Sequence, residues 1–365
     1  MKKSLLALAV LGAYAGVASA QSSVTIFGII DLSVNQIENG DLKTTSMQSN
    51  QLNSNRLGFR GYEDLGGGLG AGFHLEGGMS SQDGSQVSKF DFARKSTVSL
   101  FSQRGGEIRL GRDYVPTFSN LGAFDVFGAN GLGNDTNLIS LVSSPASTAG
   151  GAGTGVRANN SMAYHAPGNL GGFYGTAMYA LGQGNDNNKY WGLRAGFAAG
   201  PFDVAFAVGE TELAGTAAVP ASADLQVWNV GGSWNFGFMK LYGLYHETKL
   251  ESLKETFFDI GVGVPLGQGE FKFSFADVSD KGTFGAANIN NSDATMWGIQ
   301  YIYNLSKRTA LYGGYAEIDN DPGSSRSILN GTIGSNTTTP QVGNTTAQLS
   351  GKKSSGFNVG VRHSF

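Results

Sequence analysis

The feature that most constrains the fold of this chain is a short pattern of alternating apolar and polar side chains, repeated along most of its 365 residues. In the segment PFDVAFAVG, Phe202, Val204, Phe206 and Val208 share one parity, and acidic or small residues occupy the other. A period of two residues is typical of a β-strand with one apolar face. The repetition therefore predicts an all-β protein.

Sixteen such runs lie between turn signals. They span residues 23–37, 53–63, 69–80, 92–102, 105–114, 157–166, 171–181, 189–199, 201–211, 225–236, 238–248, 254–264, 269–279, 293–304, 308–320 and 354–365. Tight Gly-rich or Asn-rich turns separate many of them, and the other connections are long polar loops. The long loops lie near residues 38–53, 81–91, 112–157, 212–224, 280–292 and 321–353. Short turns at one end and long loops at the other predict a 16-stranded antiparallel transmembrane β-barrel of the outer-membrane type.

The first twenty residues follow the pattern of a secretory signal peptide. Lys2 and Lys3 precede an apolar stretch from Leu5 to Val17, and Ala-Ser-Ala ends the segment. A membrane anchor is the alternative, but the apolar stretch is shorter than the about 20 residues that a spanning helix needs. No linker or shift of composition divides the rest. We therefore expect a signal peptide at 1–20 and a single barrel domain at 21–365.

Composition removes several classes of protein. After residue 20 no apolar window is long enough for a transmembrane helix. The chain has no cysteine, so disulfides and thiolate metal sites are excluded. Without Lys2 and Lys3 the chain has 23 basic and 28 acidic residues, a net charge of −5, which gives no reason to expect a nucleic-acid partner.

A soluble or surface-attached β-sandwich that binds a ligand is the alternative fold. Sixteen strands are too many for an ordinary open sheet. The small and polar face of the runs suits a water-filled lumen, and aromatic residues gather near strand ends, as in KYWG and QYIYN, where the membrane interfaces of a barrel lie. These two features favour the barrel.

The last run explains how the barrel closes. Phe357, Val359, Val361 and Phe365 share one parity, and polar or small residues occupy the other. A barrel in lipid can leave no edge unpaired. We therefore expect the strand that ends at Phe365 to pair with the strand that begins near Gln21.

Several blocks of the sequence resemble the trimeric general-diffusion porins of Gram-negative bacteria, and in particular those of Neisseria and its β-proteobacterial relatives. The blocks are SSVTIFGIIDLSV, SNRLGFRGYEDLGGGLGAGFHLE, ARKSTVSL, GGEIRLGRDYVPTF and GFNVGVRHSF. The resemblance covers essentially all of residues 21–365. It implies a sixteen-stranded barrel in the outer membrane, a homotrimer in contact with lipid and lipopolysaccharide, and a third loop folded into each pore. It also implies passive diffusion of ions and small hydrophilic solutes, and a role for Phe365 in assembly.

The third long loop, at about 112–157, is the first candidate for function, because long loops in compact domains are usually functional or disordered. Its first half carries apolar residues that favour packing against the inner wall of the barrel, namely Phe118, Leu121, Phe124, Val126 and Phe127. A flap on the surface is the alternative.

Charged residues on the early strands and in this loop are the candidates for the pore constriction. They are Arg56, Arg60, Glu76, Arg94, Arg109, Asp113, Asp125 and Arg157, with Lys95 as the alternative to Arg94 and with Asp135 and His74 as further neighbours. The parity of the runs turns Arg56, Arg60 and Arg109 towards the lumen. Asp113, Asp125 and Asp135 are expected on the loop, opposite the arginines. The alternative role of the arginines is to pair with carboxylates and rigidify the wall.

The charges expected in the narrow zone predict a preference for anions. Five arginines outnumber the acids Glu76 and Asp125, even with Asp113 counted as a third, and guanidinium groups stay protonated. Most other acids fall in the outer loops, where salt screens them. The predicted preference is therefore opposite to the sign of the net charge.

Neither catalysis nor the binding of a metal or cofactor is expected. The four histidines are scattered one to a strand, so neither a metal site nor a cofactor site is predicted. An outer-membrane protease or acyl hydrolase with a plugged lumen is the enzymatic alternative, since the members of a catalytic triad meet only in space. No residue pattern marks one.

Overall fold

The computed structural model describes residues 23–84, 91–139, 154–182, 189–213, 223–284, 287–329 and 349–365. The predicted signal peptide lies outside these residues and stays a prediction, as does the domain boundary that depends on it.

Nineteen strands follow one another along this part of the chain. They are β1 (Ser23–Asn39), β2 (Leu42–Ser49), β3 (Arg56–Gly66), β4 (Leu69–Gly78), β5 (Lys95–Ser102), β6 (Gly106–Tyr114), β7 (Arg157–His165), β8 (Phe173–Ala180), β9 (Tyr190–Ala199), β10 (Phe202–Leu213), β11 (Ala223–Asn235), β12 (Lys240–Leu250), β13 (Leu253–Leu266), β14 (Gly269–Lys281), β15 (Thr283–Phe284), β16 (Ala287–Asn288), β17 (Ala294–Asn304), β18 (Thr309–Asn320) and β19 (Ser354–Ser364). An α-helix, α1 (Pro116–Phe124), and a 3-10 helix (Asp135–Asn137) lie between β6 and β7. In the described part of the chain, no helix has both the length and the apolar character needed to cross a membrane.

Seventeen strands form one antiparallel sheet that closes on itself, and β15 and β16 form a separate small ribbon. β2 pairs with residues 32–39 of β1, and β3 pairs with residues 23–29 of the same edge. The two strands therefore share one place in the sheet, so the barrel has sixteen strand positions. The predicted all-β barrel of sixteen strands is confirmed.

The barrel closes between β1 and β19, as the alternation of the last run predicts. The register pairs Ile29 with Ser364 and Asn39 with Ser354. Phe365 extends the pairing by one residue, because its backbone N–H and C=O both bond to Gly28 at 3.0 Å. Its ring lies over Gly28, where any added Cβ would overlap it. The glycine thus leaves room for the aromatic ring that completes the seam.

The two faces of the wall differ as a barrel in lipid requires. Large apolar side chains are exposed on the outside, for example Val24, Ile26, Leu100 and Val359. Polar side chains such as Asp31, Asn35 and Asn358 face inward and are buried. The described connections at the end where β1 begins are short. That between β3 and β4 is only Gly67 and Gly68, and both of these and Gly66 at the end of β3 have positive φ (63°, 79° and 80°). We refer to this as the short-turn end and to the other as the long-loop end.

The expectation of a long loop at residues 38–53 is wrong. β1 and β2 form a hairpin in which Asn39 faces Leu42 across a two-residue turn that contains Gly40, with φ of 58°. The β2 sequence LKTTSMQS is polar on both faces, so it has no apolar alternation that marks a strand. Backbone pairing with β1 stabilises it instead. The irregular part is only the short segment between β2 and β3.

The segment after β18 also differs from the sequence-based interpretation, which placed a long polar loop near residues 321–353. Ser324, Arg326, Ser327 and Ile328 are buried, so the first part of the segment folds inward. Residues 330–346 lie outside the described residues.

Candidate pore constriction

Three arginines from separate segments meet on the inner wall around one glutamate and one tyrosine. Glu76 of β4 binds Arg94 Nε through its Oε1 at 2.6 Å and lies 3.3 Å from Arg56 Nη1 of β3. Tyr114 Oη accepts hydrogen bonds from Arg94 Nη2 at 3.1 Å and from Arg157 Nη2 at 2.7 Å. The group thus contains three guanidinium groups and one carboxylate, and Arg157 joins it through Tyr114. We call these five residues the basic cluster.

Strand register brings the basic cluster together. Glu76 faces Gly58 across the β3–β4 pair, which sets Arg56 one step away on the same face. Arg94 immediately precedes β5, and its backbone N–H bonds to the carbonyl of Glu76 at 3.1 Å. Arg157 opens β7, with its guanidinium 4.3 Å from the centre of the Tyr114 ring. The cluster therefore spans five neighbouring strand positions, from β3 to β7.

A second charged group on the same wall is balanced within itself. Arg109 Nη1 lies 2.6 Å from Asp113 Oδ2, and Lys95 Nζ lies 2.9 Å from the same oxygen. Arg109 Nε also lies 2.8 Å from Glu107 Oε1. Two cations and two carboxylates leave no net charge. Asp113 belongs to β6 and not to the loop opposite the arginines, so the expectation for its position is wrong.

Arg60 and His74 lie on the lumen face closer to the short-turn end, where they are cross-strand partners. The Arg60 guanidinium lies 5.3 Å from the centre of the Phe27 ring and is exposed. His74 Nε2 is 3.4 Å from Glu76 Oε2. Within the described ranges Arg60 makes no ion pair, so its charge adds to that of the basic cluster.

The loop between β6 and β7 folds into the barrel, as predicted. Its helix α1 packs on β9, β10, β11 and β12, which follow the strands of the basic cluster in the order of the sheet. Phe124 is completely buried against Gly231 of β11, and Val126 lies over Gly261 of β13. Phe127 packs beside Gly298 of β17. A Cβ on any of these three wall glycines would collide with the loop, so the glycines form the surface on which the loop docks.

Amide side chains hold the first half of the loop in place. Asn120 of α1 donates from Nδ2 to Asn229 Oδ1 at 2.8 Å and accepts from Arg194 Nε at 2.9 Å. Asn229 in turn donates to the carbonyl of Thr117 at 3.0 Å. All but Arg194 are buried, so these bonds replace water that the polar groups have lost.

Asp125 and Asp135 do not face the arginines. The Asp125 carboxylate accepts backbone hydrogen bonds from Phe127 at 2.7 Å and Ala129 at 2.8 Å within its own loop. Burial raises the pKa of the Asp125 carboxyl above its ordinary value despite these bonds. Burial, and after it the neighbouring carboxylates of Asp125 and Asp259, raises the pKa of Asp135 well above its ordinary value. Asp125 is a structural residue of the loop here, and the structure does not bring it into the basic cluster.

Several interior residues were missed by the sequence interpretation. They are Tyr114, Glu107, Arg194 and Arg326. Glu107 shares the parity of Arg109, so the alternation could have identified it. Tyr114 ends a strand and Arg326 lies in a segment without periodicity, so neither had a signal. Among the described residues, no group of three or more His, Asp or Glu side chains is placed to hold a metal ion.

Comparisons with known proteins agree with this architecture. The family model of the Gram-negative porins matches residues 7–324. Outer membrane porin protein 32 of Delftia acidovorans is 38% identical over 380 residues, with 100% of both chains covered.

Solved structures of outer-membrane proteins share the fold of this chain. An anion-selective porin from Comamonas acidovorans superposes with a TM-score of 0.79 at 34% identity, covering 94% of this chain and 100% of that one. OmpT of Vibrio cholerae, in a trimer form, superposes with a TM-score of 0.64 at 13% identity, covering 94% of this chain and 99% of that one.

Proposed function

Since this chain belongs to the Gram-negative porin family and is a channel of the outer membrane, not an enzyme, we propose that its pore prefers anions to cations. The charge of the basic cluster carries the proposal. The cluster contains three guanidinium groups and one carboxylate, a net charge of +2. Arg56 and Arg94 lie against Glu76, and Arg157 bonds to Tyr114. The neighbouring group of Lys95, Arg109, Glu107 and Asp113 contributes no net charge.

The acids that could oppose this field lie elsewhere. Asp125 and Asp135 are buried in the loop, away from the basic cluster, and burial raises the pKa of both carboxyls. Guanidinium groups stay charged at physiological pH, so the field of the basic cluster is permanent. The anion-selective porin that is 34% identical to this chain supports the same sign of selectivity.

The roles of the individual residues follow from their positions. Arg56, Arg94 and Arg157 attract anions into the narrow zone, and Arg60 extends the positive field towards the short-turn end. Arg109 and Asp113 neutralise each other and set the shape of the wall. Charges on a lumen wall change ion selectivity through the local potential and not through net charge.

The zero-current potential of the reconstituted pore across a KCl gradient tests this proposal. We expect the unmodified pore to pass chloride more readily than potassium. Arg56→Ala combined with Arg94→Ala should shift the potential towards potassium. A parent pore that prefers potassium, or a double variant with an unchanged potential, would refute the arginine-lined constriction.

We also propose that the chain assembles as a homotrimer through the wall around the first and last strands. That wall is strongly apolar, with Val24 66% exposed on β1 and Val359 58% exposed on β19. An SDS-resistant band near three times the monomer mass that collapses on boiling would support the trimer, and a monomer in mild detergent would contradict it. The contact with lipopolysaccharide stays a prediction.

A further inference from the structure

The inward-folded segment after β18 is built around the side chain of Asn320. Asn320 Oδ1 accepts hydrogen bonds from the backbone N–H of Arg326 at 2.9 Å and from Ser324 Oγ at 2.6 Å. Its Nδ2 donates to the carbonyls of Arg326 and Lys352, both at 2.8 Å. The position of Arg326 is therefore fixed by its own segment.

The guanidinium of Arg326 inserts between two carboxylates of the barrel wall. Glu255 of β13 and Asp280 of β14 are direct cross-strand partners near the long-loop end. Arg326 Nη2 lies 3.1 Å from Glu255 Oε2 and 2.7 Å from Asp280 Oδ2. All three side chains are less than a tenth exposed. Charges buried this deeply are stable only when paired, so the two wall carboxylates require a cation such as the Arg326 guanidinium between them.

The same guanidinium reaches the constriction loop. Arg326 Nε donates to the carbonyl of Leu138 at 2.5 Å, and Nη1 donates to the carbonyl of Ser292. Leu138 and Ile139 are completely buried and follow the 3-10 helix Asp135–Asn137 on the return half of the loop. Asn120 and Phe124 of α1 attach the outgoing half to β9 and β11, so the two halves have separate attachments.

We propose that Arg326 is the latch of the constriction loop: it holds the return half of the loop to the carboxylates of Glu255 and Asp280 and so keeps the pore at a constant width. The planar fork of a guanidinium can bond to three chain segments in fixed directions at once. The segment after β18 thereby positions the loop that narrows the pore. This inference concerns the stability of the open pore and does not depend on the sign of ion selectivity.

Single-channel recording separates this positioning role from simple charge neutralisation. Arg326→Met removes the hydrogen bond to Leu138 and leaves two buried carboxylates without their cation. The triple variant Arg326→Met, Glu255→Gln, Asp280→Asn removes the bond to Leu138 as well, but it leaves no uncompensated charge. Arg308→Met, in the exposed turn between β17 and β18, is the matched control.

We expect both Arg326 variants to close intermittently at voltages where the parent stays open. Loss of one hydrogen bond of ordinary strength shifts an equilibrium between docked and undocked loop by about fivefold, so the fraction of time at reduced conductance should rise by about that factor. Arg308→Met should behave as the parent. If the triple variant regains the steady current of the parent, Arg326 only neutralises the carboxylates and the latch is refuted. If the single variant does not fold, the triple variant decides the question alone.

Discussion

Replacing Glu76 with glutamine should make the pore more selective for anions. Glu76 is the only carboxylate of the basic cluster, where it binds Arg94 and lies close to Arg56. Glutamine has almost the same shape and keeps an oxygen that can accept from one arginine. The substitution therefore changes the net charge of the cluster from +2 to +3 with little change in the width of the pore.

The size of the effect follows from the field of one charge. At about 6 Å in water, a unit charge acts on an ion with about 0.7 kcal/mol, and screening at 0.1 M salt reduces this to about 0.4 kcal/mol. Removal of the negative charge favours chloride by this amount and disfavours potassium equally. The ratio of chloride to potassium permeability should therefore rise by about fourfold at 0.1 M salt, and by less at 1 M salt.

Zero-current potentials in a tenfold KCl gradient measure this ratio directly. Glu317→Gln is the matched control, since Glu317 makes the same kind of ion pair, with Lys353 at 2.7 Å, but on the outer face of β18. The control should leave the potential unchanged. If Glu76→Gln leaves the permeability ratio unchanged or lowers it, the basic cluster does not set the field that ions experience.

Three further predictions concern the loop and the seam. Gly231→Val should push Phe124 away from the wall and towards the lumen, because its branched side chain overlaps the ring, and overpacking of this kind costs about 1–3 kcal/mol; we expect a smaller single-channel conductance. Deletion of Phe365, or Gly28→Leu beneath it, should reduce the yield of heat-resistant assembled protein on gels, because each change disrupts the pairing of β1 with β19. Asp135→Asn should raise the thermal stability at pH 8 but not at pH 4, because the raised pKa makes the native acid destabilising as the pH rises above its ordinary range.

Each of these predictions has its own contradicting outcome. Gly243→Val is the control for the loop variant, because its nearest contact is 4.0 Å away on the outer face, and equal conductance in the two valine variants would show that the loop is not displaced. Phe365→Tyr keeps the ring and should assemble normally; normal assembly after deletion of Phe365 would disprove the sealing role. A stabilisation by Asp135→Asn that is the same at both pH values would mean that the carboxyl does not titrate in this range.

The sequence predicted which face of the wall each charged residue occupies wherever a strand is regular. Arg56, Arg60, Glu76 and Arg109 all lie on the expected lumen face, because side-chain direction in a strand depends only on parity. The same reasoning could not pair Arg94 with Glu76, since that contact depends on the register between β4 and β5. Register depends on the whole sheet and has no local signature.

The irregular segments were predicted less well for a related reason. The apolar residues of the third loop indicated that it packs on the wall, and Phe124 and Val126 do so. The direction of Asp125 could not be foreseen, because a loop has no period that assigns its side chains to a face. Arg326 is a single arginine in a polar stretch, and only its buried carboxylate partners, far away in the sequence, show that it points inward.

The glycines beneath the third loop bear on how such pores could be re-engineered. Gly231, Gly261 and Gly298 have no side chain, and loop residues occupy the space that this leaves. The depth at which the loop sits is therefore determined by the wall and not by the loop itself. A foreign loop grafted between β6 and β7 will seat at its original depth only if its apolar residues fall on these three positions. Transplanting a constriction from one barrel to another therefore requires glycines at the matching wall positions as well as the loop.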